Sequence, residues 1–418
     1  MNARPRYVKI DWLTVLLFAV LVFIGWVNIY SASLSDTNTV FFDFDQIYFK
    51  QLIWIALSVL LVIFILALDA KFYERFASII FLVSMASLLL LYPFGKEISG
   101  ATSWFAFGNV GIQPSEFAKA ATALALAKYI SDIQTNMKEF KHQLRAFAII
   151  VLPALLIIPQ PDPGSALVYS AFVFAMYREG LHIVYLLLGF FIAALFIGTL
   201  TVGVTWMAII VLVIAGAIFL KNRKKKPNRL KYITVVFACI AFAFSVNYIF
   251  NNVFEQRHRD RFNIVLGKEV DVKGIGYNTN QSEIAIGSGG WTGKGWTQGT
   301  QTKGNFVPEQ HTDYIFSTVG EEWGFLGAIL VIILFIALIV RVMVLAERQR
   351  SQFSRVYGYS VAAILFIHFF VNVGMVTGLL PTIGIPLPFF SYGGSSLWGF
   401  TILLFIFVRL DGANYYYT

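Results

Sequence analysis

The residues able to do chemistry in this chain concentrate in one polar stretch, "RHRDRFNIVLGKEVDVKGIGYNTNQSEIAIGSGGWTGKGWTQGTQTKGNFVPEQHTDYIFSTVGEEWG". Arg257, Arg259 and Arg261 lead it, Asp271 stands between two valines, and Lys294 and Lys303 follow among glycines. Glycine lets backbone approach a ligand closely and lysine meets phosphate, so the stretch can receive an anion beside a carboxylate. It is not a P-loop, because Lys294 is followed by Gly295 rather than Ser or Thr, and no strand precedes it as a dinucleotide fingerprint requires. A tight turn packed against helices explains the same glycines equally well. His311 has Asp313 nearby but no second histidine, which argues against a histidine-based metal site.

A second constellation is "QPSEFAK", where Glu116 and Lys119 lie three apart on one helix face. They read either as functional groups within an apolar span or as a structural ion pair. Asp162 in "PQPDPG" reads either as a functional acid or as a helix-capping residue. The proline- and glycine-punctuated "LPTIGIPLPFFSYGGSS", 380–396, is not a regular helix. It is an ordinary tight loop or a buried, irregular segment lining a cavity.

These groups must be positioned by a membrane-embedded framework. The chain has 418 residues, 58% hydrophobic and 13% charged, with mean hydropathy +0.71. That is about half the charged fraction of a soluble domain, and it predicts an all-α polytopic membrane protein. Twelve apolar spans are expected, at roughly 11–32, 48–69, 76–94, 114–130, 145–159, 164–178, 182–200, 203–220, 232–250, 323–345, 356–379 and 395–410. The first is long enough to span and lacks a small-residue cleavage site, so it is expected to be retained. The single Cys239 excludes an intrachain disulfide and a cysteine metal cluster.

Basic residues follow the span count. Arg4, Arg6 and Lys9, then Lys71 and Arg75, then Lys138, Lys141 and Arg145, then "KNRKKKPNRLK", then Arg348, Arg350 and Arg355 all fall on one side, with both termini. That side is cytoplasmic. The net charge of +9 is therefore assigned to topology and anionic membrane lipid, not to nucleic acid. The segment 251–322 falls outside and is too rich in aromatics, glycine and isoleucine to be disordered, so it is expected to be a large structured extracytoplasmic loop.

The stretches "GIGYNTNQSEIAIGSGGWTGKGWTQGTQ", "FVPEQHTDYIFSTVGEEWG" and "PLPFFSYGGSS", with "QPSEFAK" and "QPDPGSAL", resemble the SEDS family (shape, elongation, division and sporulation), and "GWTQGTQ" leans towards its elongation branch. The resemblance covers most of 1–418 as one transmembrane domain. It implies a glycosyltransferase of the bacterial cytoplasmic membrane that polymerises lipid II, with a class B penicillin-binding protein as transpeptidase partner. It implies about ten core helices, so the two further spans within 180–231 read as an inserted hairpin with its basic cytoplasmic loop. The family's catalytic aspartate precedes a G-x-G-Y motif, which here selects Asp271 before "GIGY", with Val272 where a proline is usual. Glu116 and Lys119 match the family's polar pair, while Ser103 stands where a basic residue is common.

The implied reaction joins an acceptor hydroxyl to the anomeric carbon of an α-linked donor, giving a β linkage with loss of lipid pyrophosphate. Such an inversion needs a general base near the hydroxyl. A glycosidase needs a second carboxyl to protonate its leaving alkoxide. Pyrophosphate leaves unaided when cations face it, so one carboxylate suffices. Asp271 is the expected base, with Glu116, Lys119, Lys294, Lys303, Arg257, Arg259 and Arg261 as expected substrate-binding residues. A divalent cation, Mg2+ or Mn2+, on the pyrophosphate is a candidate cofactor for which no ligand set stands out. The competing readings are a lipid-linked oligosaccharide flippase and a scaffold for cell-wall enzymes without chemistry of its own.

Overall fold

The computed structural model describes residues 9–34, 44–98, 100–108, 110–222, 228–252, 254, 256–268 and 276–413. The chain runs through α1 (Trp12–Ser33), α2 (Ile47–Ala67) and α3 (Ala70–Phe94), then strands β1 (Lys96–Ile98), β2 (Ala101–Phe107) and β3 (Val110–Ile112). There follow α4 (Pro114–Ile130), α5 (Phe140–Ile157), α6 (Pro163–Val168), a 3-10 turn (Tyr169–Ala171) and α7 (Phe172–Arg178). Next come α8 (Val184–Val202), α9 (Val204–Asn222), α10 (Arg229–Asn252), α11 (Gln256–Val265), α12 (Tyr277–Ser288) and α13 (Thr300–Lys303). Three long helices close the chain: α14 (Ile315–Glu347), α15 (Gln352–Val376) and α16 (Gly394–Ala413).

All twelve expected spans are present. Ten of the described helices are long and apolar enough to cross a membrane. The other two spans are α4, with 17 residues, and the broken run α6 to α7. Small residues explain the place of α4: Ala118, Ala120, Ala121, Ala123, Ala125 and Ala127 are all buried, so α3, α15 and α16 approach its backbone closely. Pro114 opens the helix where a missing N–H costs nothing.

The strands form a three-stranded antiparallel meander, in the order β1-β2-β3, between α3 and α4. The all-α expectation omitted this sheet. Its signal is the β-branched and aromatic run "ATSWFAF", which is too short to weigh against the apolar spans around it. Ser103 on β2 is fully buried and its hydroxyl has no partner among the described residues.

The chain divides into two compact units, 1–181 with 278–418, and 182–277. In the larger unit, one end is tied by ion pairs: Arg341 with Asp11, Arg348 with Asp411, Arg355 with Glu179, Arg178 with Glu347 and Arg409 with Asp69. These pairs bring together the start of α1, the α2–α3 connection, the end of α7, the α14–α15 connection and the end of α16. The span count had assigned those connections to a common side. The smaller unit holds α8 to α11, one helix pair more than the expected 180–231 hairpin. Rings of Phe196, Phe250, Phe254 and Phe262 join α8 and α10 to α11 within it. Its α9 is almost wholly exposed.

The stretch 251–322 is structured where it is described. It carries α11, α12 and α13, and from Ile315 it is already the first turns of α14. The span expected from 323 is the part of α14 that follows Gly324, whose non-helical backbone (φ 65°, ψ −160°), a conformation open to glycine, separates it from a short helical stretch at 315–323.

Candidate functional site

The core of the site is built on α4. Lys119 Nζ lies 2.8 Å from both carboxylate oxygens of Glu116 and 3.0 Å from His368 Nε2 on α15. All three side chains are buried, at 2%, 1% and 1% exposure for Glu116, Lys119 and His368. Phe400 of α16 packs under the ammonium, 4.5 Å from its ring centre, and against the imidazole. Lysine only donates, so His368 Nε2 accepts, and its Nδ1–H then donates to Pro386 O, 3.2 Å away. The imidazole is thus neutral, and the carboxylate supplies the counter-charge that a desolvated ammonium requires.

His368 connects this pair to 380–396, the segment that sequence left between loop and buried irregular backbone. It is buried over much of its length from Ile385. Its freed backbone groups are met by side chains. Asn372 donates to Ile385 O (2.7 Å) and Asp313 O (2.8 Å), Ser391 Oγ accepts from Leu387 N (2.9 Å), and Gln51 accepts from Gly393 N (3.2 Å). Irregular backbone buried in protein is tolerated under this condition.

Asp162 takes the capping role. Its Oδ1 accepts from Ser165 N at the start of α6 (3.0 Å), and its Oδ2 accepts from Gln113 Nε2 (3.0 Å). Gln113 N in turn donates to Ser395 Oγ (3.1 Å), which ties the start of α4 to the start of α16.

The glycine-rich stretch packs against the kink of α14. Lys294 N and Gly295 N donate to Glu321 O and Glu322 O, both at 3.0 Å, and Phe325 N donates to Gly290 O (2.9 Å). A Cβ on Gly293 would lie 2.1 Å from Glu322 O, so only glycine fits there. The side chain of Lys294 turns to Glu321 Oε1 (2.8 Å). The same buried carboxylate accepts from Gln301 N (2.8 Å), Thr302 N (2.9 Å) and Thr302 Oγ1 (2.7 Å). Tight packing on a helix therefore accounts for these glycines, and Lys294 holds the loop to α14. Lys303, at the end of α13, is exposed.

Of the sequence-selected residues, the structure brings Glu116 to Lys119 and gives Lys294 a carboxylate partner. Arg259 and Arg261 lie on α11, in the smaller unit. Asp271 and the side chain of Arg257 lie outside the described residues. Sequence reasoning missed His368 and Glu321. His368 stands in the apolar run "LFIHFFVN", and an ionisable residue in a span is a functional candidate by the rule that singled out Glu116. Among the described residues no group of three or more His, Cys, Asp or Glu is placed to hold a metal ion.

An apolar groove of about 470 Å³ runs between α2, α3, α4 and α16. Pro114, Phe117, Ala121 and Leu124 contribute one face of α4 to it, while Glu116 and Lys119 project from the adjoining face. Exposed Phe64, Phe72 and Val83 flank it, so it opens to the surface of the larger unit.

Against known proteins, a family model for FtsW, RodA and SpoVE, described as cell cycle protein, matches residues 11–416. The chain is 32% identical over 382 residues to the peptidoglycan glycosyltransferase MrdB of Escherichia coli K12, covering 91% of this chain and 88% of that one. It is 31% identical to the peptidoglycan glycosyltransferase RodA of Treponema pallidum, covering 93% and 94%. It is 30% identical to a probable peptidoglycan glycosyltransferase FtsW of Trichlorobacter lovleyi, covering 94% and 90%. Among solved structures, it matches a chain of a peptidoglycan synthase complex that coordinates polymerization and crosslinking, with TM-score 0.72, 25% identity and coverage of 98% and 99%. The rod shape determining protein RodA of Thermus thermophilus has the same fold, with TM-score 0.62, 24% identity and coverage of 98% and 99%.

Proposed function

The chain belongs to the FtsW/RodA/SpoVE family of cell cycle proteins, the SEDS family, and we propose on that premise that this multi-pass peptidoglycan glycosyltransferase polymerises lipid II during cell elongation. The observation that carries the reading is the arrangement on α4. One helix offers an apolar groove on one face and a buried, compensated charge pair on the next. A polyprenyl tail needs the groove, and the charge pair fixes the helix that lines it.

In the reaction, Asp271 takes the proton of the acceptor hydroxyl as that oxygen attacks the anomeric carbon. The new C–O bond forms as the bond to the lipid pyrophosphate breaks, and the electron pair leaves with the pyrophosphate. Attack from the opposite side inverts the α linkage to β. Lys303, Arg257 and Arg261 are the cations proposed to meet the leaving oxygens. Lys294 acts through Glu321, as a residue that positions the loop. Lys119, held by Glu116 and His368, stiffens the part of α4 that adjoins the groove. A divalent cation would neutralise pyrophosphate charge if held mainly by the substrate's own oxygens, the usual arrangement for Mg2+. The described residues supply no protein cage for it.

We place the basic connections and both termini in the cytoplasm and the 251–322 stretch outside the bacterial inner membrane. A class B penicillin-binding protein, supplying transpeptidase activity, is the proposed partner. The test is lipid II polymerisation by purified protein. Asp271→Asn should fold and bind lipid II, yet form glycan strands at least about 100-fold more slowly. Strand synthesis by that variant at the wild-type rate would remove Asp271 as the base.

A further inference from the structure

We propose that the smaller unit, 182–277, carries a lipid-phosphate site, with the headgroup of an acidic phospholipid as its occupant. A polar cleft of about 290 Å³ lies where the ends of α8 and α10 meet α11. Arg259 and Lys268 supply its charge, and Asn247, Asn251 and Asn263 supply amides.

Neither cation is ion-paired among the described residues. Arg259 is held by neutral oxygens, donating from Nη1 to Asn251 O and from Nη2 to Gln256 Oε1, each at 2.7 Å. Its Nε is buried without a partner among the described residues. Lys268 Nζ donates to Leu200 O, also a neutral group. The acid on α11, Asp260, accepts from Gln256 Nε2 and does not line the cleft. Elsewhere in the chain, half-buried or buried cations such as Lys119, Arg341 and Arg355 each have a carboxylate. Here two positive side chains converge with donors still to satisfy, which is the pattern that binds an oxyanion. A guanidinium grips two phosphate oxygens at once, and an ammonium adds a point charge.

The site is built rather than incidental. Phe262, on α11, packs edge-on against Phe196 of α8 (5.6 Å) and Phe250 of α10 (6.1 Å). That contact sets α11 down on α8 and α10 and holds Arg259 at the cleft. The surroundings identify the kind of phosphate. The smaller unit exposes Ile197, Val202, Tyr248 and Ile249 along the same ends of α8 and α10, so a ligand whose phosphate sits in the cleft has an apolar surface for its chains. The cleft is also at the opposite end of α9 and α10 from the basic 222–229 connection, a depth at which headgroups lie. The same chemistry would accept a polyprenyl pyrophosphate, and the experiment separates the two.

The full-length protein, purified in a neutral detergent, is titrated with phosphatidylglycerol, phosphatidylcholine or polyprenyl pyrophosphate, and bound lipid is read by native mass spectrometry. This readout does not depend on polymerase activity. Phosphatidylglycerol should be retained about 30-fold better than by Arg259→Gln/Lys268→Gln, Arg259→Lys should retain it, and phosphatidylcholine should not be enriched. Retention of polyprenyl pyrophosphate without phosphatidylglycerol sustains the phosphate site and assigns its source to the lipid-linked substrate. Equal retention of all three lipids, or undiminished retention by the double variant, overturns the proposal.

Discussion

Charged side chains are handled in opposite ways by the two units. Around α4 in the larger unit, Lys119 is fully buried and fully compensated by Glu116, with His368 and Phe400 closing the remaining sides. At the cleft of the smaller unit, Arg259 is partly accessible and Lys268 exposed, and among the described residues both rest on neutral oxygens. Removing an ion from water costs several kcal/mol unless a counter-ion replaces the lost solvation. The first arrangement meets that cost internally and stiffens α4. The second leaves it for a ligand to meet.

Breaking the first arrangement should have the largest effect. Glu116→Gln leaves an ammonium buried without its carboxylate and should lower unfolding stability by about 3–5 kcal/mol, measured by thermal or denaturant unfolding in detergent. Glu116→Gln/Lys119→Met removes both charges and should recover most of that loss. If the double variant is no better than the single one, the buried pair is not the source.

Glu321 supplies an intermediate case, because Lys294 is only partly buried while its partner is wholly so. Glu321→Gln weakens every bond to Lys294, Gln301 and Thr302, and should cost about 2 kcal/mol by the same measurement. Proteolysis between 290 and 303 should accelerate with it, since that carboxylate holds the segment to α14.

The contrast predicts a much smaller effect in the smaller unit. Arg259→Gln/Lys268→Gln should change the stability of lipid-free protein by no more than about 0.5 kcal/mol, because no ion pair among the described residues is lost. A large destabilisation there would mean that the cations already serve a structural role.

The smallest effect concerns His311, outside the spans. Burial holds its imidazole below the ordinary histidine range, with the nearby Glu309 carboxylate opposing this. The folded state therefore binds a proton less readily than the unfolded state, whose pKa is about 6.5. Stability should be complete above that value and decline as pH falls from it towards the lower folded pKa. His311→Gln should flatten that decline in unfolding curves recorded across the same pH window.

How legible these features were depends on the range of the interaction. The twelve spans were readable because a helix in lipid satisfies its own backbone within a continuous apolar run, a strictly local property. Glu116 and Lys119 were readable as a pair because helical periodicity puts residues three apart on one face. His368 was present in the same kind of signal, but its contact spans 249 positions. The glycines from 289 to 295 gave two equal readings. The choice between them came from Glu321 and Glu322 O, which the fold delivers to the amides of Lys294 and Gly295. The β1–β3 meander was hidden by its brevity beside long apolar helices.

By itself, the sequence determined that this chain lives in a membrane, how many times it is apolar enough to cross, and which motifs align it with its family. Those properties follow from composition and local periodicity. Only the tertiary structure decided which charges are compensated and which stand open. That distinction depends on the Coulomb and solvation energy of groups brought within a few ångströms by helices distant in sequence, and no local pattern encodes that distance.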